Sequence, residues 1–169
     1  MPCNDELDKL SKSEYDHLRV NLFDLFEKYG FCGTGWGGRK LIAGMSETDV
    51  ERITHFDGSD LKNCSAICRM KPNDYIWVNV APKRSYYLFK VSENLTGDNS
   101  FLKEIESKEE LDDGFFLKND IGNCFKGEWR RIQKAIVPEE ICKFMRGRGM
   151  TFMVIRDALE ITEKLWNSN

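Results

Sequence analysis

Residues 75–91 limit the possible fold more than any other stretch. Tyr75-Ile76-Trp77-Val78-Asn79-Val80 is rich in aromatic and β-branched side chains, and Ile76, Val78 and Val80 alternate with Tyr75, Trp77 and Asn79. That is the period of a strand with two distinct faces. Ala81-Pro82-Lys83-Arg84-Ser85 interrupts the run with a proline and two cations, and Tyr86 to Val91 returns with similar composition. Two such runs around a short polar connection predict a β-hairpin with a basic tip.

The flanking sequence reads mostly as helix. Leu18, Leu22, Leu25, Phe26 and Tyr29 recur at spacings of three and four, predicting a helix over Tyr15 to Tyr29 that stops at Gly30. Phe31 to Gly38 reads as a short strand running into a glycine-rich turn, without the order of a nucleotide-binding loop. Ser46-Glu47-Thr48-Asp49 resembles a capping box and opens a helix to about Phe56, and Asp57-Gly58-Ser59-Asp60 restarts a second one through Cys68. Asn94 to Asp113 reads as an acidic surface excursion carrying one helical turn, and Phe115 to Leu117 as a brief strand. Cys124 to Ile132 alternates as a strand should. Pro138, with Glu139 and Glu140 behind it and Lys143 and Arg146 near the end, marks a helix. Met150 to Ile155 is expected to be a strand and Asp157 to Trp166 a terminal helix.

The chain has 169 residues, 41% of them apolar, enough for a packed core of one domain. No apolar run approaches the roughly 18 to 20 residues of a membrane span. Met1 to Leu10 is acidic and polar, unlike a secretory leader, so a soluble cytoplasmic protein with no membrane contact is expected. The six cysteines read as free, mostly buried thiols. Cys64 and Cys68 lie four apart, but neither they nor His17 and His55 complete a zinc spacing, so no metal or other cofactor is expected. Charge is uneven. Val91 to Asp120 has nine acidic against three basic side chains, while Arg39 to Lys90 and Ile121 to Arg156 are both net basic. Brought together by the fold, the two basic segments would make one basic face.

Several short motifs occur in a shared order. Met70-Lys71-Pro72-Asn73-Asp74-Tyr75-Ile76-Trp77-Val78 resembles the M-K-x-G-D entry into a strand of PUA-like β-barrels, especially the EVE and YTH branch, with Asn73 where those modules carry glycine. Gly33-Thr34-Gly35-Trp36-Gly37 resembles a G-I-G-W segment that precedes the same hairpin in small bacterial proteins. Asp120-Ile121-Gly122-Asn123, Glu128-Trp129-Arg130 and Val137-Pro138 follow the D-I-x-N, E-W and V-P order of those proteins and of accessory segments in restriction systems. The resemblance implies an α+β fold, a small PUA-like (EVE-like) β-barrel flanked by helices. Residues 1–30 would be a helical extension and residues 31–169 the PUA-like domain, with an acidic insertion at about 94–114.

It also implies a non-catalytic reader of nucleic acid in bacterial defence or restriction. DNA is favoured over RNA as its partner, and a nuclease or other defence protein is a second partner class. A pocket for a flipped or modified base needs flat apolar walls and a few polar groups. Trp36, Trp77, Tyr87 and Trp129 are the candidate walls, and Asn79, Asn119, Asp120 and Asn123 the candidate polar edge. Phosphate contacts are expected from Arg39, Lys40, Lys83, Arg84, Arg130, Arg131, Arg146 and Arg148. Two other classes stay open: an inhibitor or adaptor that uses its acidic loop on a protein partner, and a small enzyme acting on nucleotides. Against the enzyme, no acid, base and nucleophile constellation is complete and no G-x-S-x-G occurs.

Overall fold

The expected hairpin forms one side of the sheet, with its first strand at the edge. In the computed structural model, which describes residues 9–35, 39–80, 83–146 and 158–168, β1 is Phe31–Thr34, β2 Tyr75–Val80, β3 Ser85–Val91 and β4 Asn123–Ile132. The strands are antiparallel in the order β1-β4-β3-β2, and the sheet curls as a half-barrel. Hairpin partners include Tyr75 with Lys90, Trp77 with Leu88 and Asn79 with Tyr86. β4 lies on the other side of β3, pairing Tyr86 with Ile132 and Phe89 with Trp129. Asn73 adopts a positive φ of 78° just before β2, the left-handed geometry that asparagine tolerates better than most residues.

Helices cover both faces of the sheet, so β3 is buried almost throughout. Seven α-helices occur among the described residues. On one face α2 (Glu47–Thr54) and α3 (Gly58–Cys68) bring Val50, Leu61, Cys64 and Ile67 against Phe89, Val91 and Phe125. On the other face α6 (Glu139–Arg146) and α7 (Leu159–Asn167) bring Ile141, Cys142 and Trp166 against Tyr86, Leu88 and Ile132. α1 (Lys12–Tyr29) inserts Phe23 between Val80 and Tyr87. It starts earlier than the leucine spacing predicts, because Ser11 and Glu14 form a reciprocal capping box, and it ends at Gly30 in the left-handed conformation. The predicted capping box of Ser46 and Asp49 opens α2. No helix among the described residues is long and apolar enough to cross a membrane.

The acidic segment departs from expectation. Ser100–Lys108 forms α4, which buries Leu102 and Ile105 against Phe31 and Cys124, so it is part of the core rather than a surface excursion. Phe115–Lys118 is a short helix, α5, and not a strand. Glu106 is the physical reason. Its carboxylate, only 6% exposed, accepts hydrogen bonds from the backbone N–H groups of Gly114 (3.3 Å) and Phe116 (2.9 Å), which satisfies donors at the start of α5. The terminal helix α7 begins two residues later than predicted, and Met150 to Ile155 lies outside the described residues.

Candidate functional site

The aromatic rings do not form one wall. Successive side chains on a strand point to opposite faces, and the register separates the candidates. Trp77 is half-buried under α7, and its indole Nε1–H donates to Thr162 Oγ1 at 3.0 Å. Tyr87 and Trp129 lie on the face covered by α1. Tyr87 is 4% exposed with its ring centroid 4.3 Å from Phe23. Trp129 packs between Phe23 and Phe89 at 5.1 and 4.7 Å and donates its indole N–H to Phe31 O at 2.8 Å. A single pocket walled by all three is therefore corrected by geometry: the rings sit on two faces, and both indole N–H groups are satisfied within the chain. Trp36 lies outside the described residues.

The polar candidates mostly build the fold. Asn119 Nδ2 donates to Phe115 O at 2.8 Å and closes α5. Asp120 has a φ of 58° and packs so close to Gly35 that any side chain there would collide with its carboxylate. Asn79 is half-buried beside Tyr86 on the neighbouring strand. Asn123 is fully buried. Its Nδ2 donates to Gly35 O (3.1 Å) and Arg39 O (2.8 Å), and its Oδ1 accepts from Leu41 N–H (2.7 Å). One side chain thus ties β4 to the chain on either side of residues 36–38.

The cations divide into those spent inside the molecule and those presented outward. Arg39 donates to Ile53 O at 3.2 Å. The Arg130 guanidinium lies 4.3 Å from the Trp166 ring centroid and donates to Trp166 O, so it docks α7. Lys83 pairs with Asp24 of α1, and its ammonium sits 5.3 Å from the Phe23 ring. The Arg146 side chain and Arg148 are outside the described residues, and Lys40 is exposed.

Arg84 and Arg131 remain at the outer end of the hairpin. Pairing of Tyr86 with Ile132 brings residues 83–85 beside residues 131–134. There Arg131 Nη2 donates to Ser85 Oγ at 3.0 Å, and Ser85 Oγ donates to Lys83 O at 3.0 Å. This chain of bonds braces the tip around Arg84, which is exposed and held at a φ of 49°. Lys134, exposed in the 3₁₀ turn after β4, adds a third outward cation that sequence reading missed. The signal was its position directly after the strand end.

Elsewhere, a shallow hollow of about 470 Å³ lies along the end of α2, lined by Thr48, Glu51, Arg52, His55, Phe56 and Asp57. Among the described residues no three His, Cys, Asp or Glu side chains converge as metal ligands. The five described cysteines are free thiols. Burial pushes the Cys64 thiol up to about 12 and that of Cys124 up to about 11, which suits apolar packing and not nucleophilic chemistry. Comparison with family models, curated proteins and solved structures finds no match to this chain.

Proposed function

We propose that this chain is a non-catalytic nucleic-acid-binding module that contacts the phosphate backbone through the basic end of its curled sheet. The observation that carries this reading is the braced tip. Arg131, Ser85 and the Lys83 carbonyl are linked in series, and Arg84 is left exposed in a left-handed conformation that a bulky residue adopts only at a cost. Arg131 and Lys134 flank it, so three exposed cations stand at this end. Guanidinium groups suit phosphate because their planar forks donate two hydrogen bonds at once.

Affinity in this reading comes from phosphate contacts and not from stacking on Trp77, Tyr87 or Trp129, whose rings are packed inward. The finer reading is a PUA-like, EVE-type module of bacterial defence, acting in the cytoplasm with DNA as the favoured partner. Its support is the order of the short motifs together with a curled four-stranded sheet. An acidic-loop adaptor has less support, because Glu106 caps α5 and Glu109 is bound to Lys28 and Tyr29.

The test is fluorescence anisotropy of labelled duplex DNA, single-stranded DNA and RNA, titrated with the protein between about 50 and 200 mM salt. Binding is expected to weaken with salt, and changing Arg84 and Arg131 together to Ala to lower the log–log slope by about 1.8. Negligible binding to all three probes would overturn the proposal.

A further inference from the structure

Adjacent residues at the hairpin tip have opposite uses. Arg84 is exposed, whereas the Lys83 side chain is 25% exposed and its ammonium is held by the Asp24 carboxylate of α1 over the face of Phe23. Asp24 itself is 54% exposed, so its carboxylate lies at the border between the tip and solvent. A carboxylate oxygen on an ammonium makes the same charge-assisted contact as a phosphate oxygen.

We propose that Asp24 is a built-in competitor for phosphate at Lys83, an autoinhibitory contact by which α1 lowers the affinity of the basic tip. This rests on the nucleic-acid reading above. With Asp24 in place, the tip offers Arg84 and Arg131, and Lys83 is neutralised by its own chain. When the carboxylate is neutralised, Lys83 becomes an additional phosphate contact.

The experiment measures binding of a labelled DNA duplex across salt for the wild type, Asp24→Asn, Glu27→Gln and the double variant Asp24→Asn/Lys83→Ala. Glu27 is exposed on the same helix and has no ion pair among the described residues, so it controls for the loss of one negative charge. Asp24→Asn is expected to bind roughly eight-fold tighter at about 0.1 M salt, with a slope steeper by about 0.9. Glu27→Gln should leave the slope unchanged, and the added Lys83→Ala should abolish the gain. A wild-type slope in Asp24→Asn, with only a lowered melting temperature, would make the pair a structural tie and overturn the proposal. If Asp24→Asn does not fold, Asp24→Ala replaces it in the same comparison. Wild-type binding with no Asp24 effect sinks this inference alone, whereas no binding by any variant sinks the nucleic-acid reading with it.

Discussion

Asn123→Ala tests how much of the fold hangs on one buried amide. The side chain makes three hydrogen bonds, to Gly35 O, Arg39 O and Leu41 N–H, and it is inaccessible to solvent, as is Leu41. At about 1 kcal/mol each the bonds sum to about 3 kcal/mol, and stranding the buried Leu41 N–H adds a desolvation penalty, giving about 4 kcal/mol. For a chain of this size that corresponds to a fall of roughly 10 °C in melting temperature. Urea and thermal unfolding followed by circular dichroism measure both quantities. Asn123→Asp sharpens the test, because a carboxylate would face the carbonyls of Gly35 and Arg39 in place of a donor. Burial raises the pKa of the introduced acid in the folded state. The folded state then binds the extra proton more tightly, so the damage is greatest at neutral pH and shrinks as the pH falls through the raised pKa. A loss below about 1 kcal/mol for Asn123→Ala would refute the pinning role.

Three further outcomes follow from the same geometry. Arg84→Gly relieves the left-handed strain and is expected to raise stability by about 1 kcal/mol. It should also flatten the salt slope of nucleic-acid binding by about 0.9; unchanged binding would remove Arg84 from the interface. Trp77→Phe loses the bond to Thr162 and should cost about 1 kcal/mol in urea unfolding while leaving that slope alone; a binding defect without a stability loss would return the ring to a pocket. Lys28 and Tyr29 donate to Glu109 and hold its carboxyl below the ordinary value of 4.5. Its stabilising effect is therefore present above that value and lost as the pH falls through the lowered pKa. Glu109→Gln should reduce the melting temperature at neutral pH and converge with the wild type in acid, and a constant difference across pH would contradict the assignment.

The sheet was legible in the sequence where the period was long enough to carry a signal. Ile76, Val78 and Val80 alternate over a full strand, and β2 and β3 form the predicted hairpin. Two segments between the hairpin and β4 differ from the reading for physical reasons that can be named. Leu102 and Ile105 have helical spacing, but the charged residues around them mask it, and only their burial against Phe31 reveals α4 as core. Phe115-Phe116-Leu117 is too short for any period to distinguish helix from strand, and an acceptor nine residues upstream of Phe115, Glu106, decides it. The Ser11 and Glu14 capping box was present in the sequence as a start signal for α1, yet the leucine spacing alone sets the start too late.

The candidate site was legible in composition and not in direction. Trp77 and Trp129 are both strand tryptophans, but the pairing register, invisible in a single sequence, sends them to opposite faces. Lys83 and Arg84 are neighbours of like charge, and nothing local says that the first turns to Asp24 while the second faces solvent. Asn123 was readable as a polar group of consequence. Its role as a tie from β4 to Gly35, Arg39 and Leu41 depends on contacts more than eighty positions away in the chain.

Amide chemical-shift mapping on adding a short DNA duplex tests the central claim most directly. Shifts centred on residues 83–85 and 131–134 are predicted, with Arg84 and Arg131 moving most and the effect fading at high salt. Shifts confined to the acidic stretch from Glu109 to Asp113, or none at all, would contradict it.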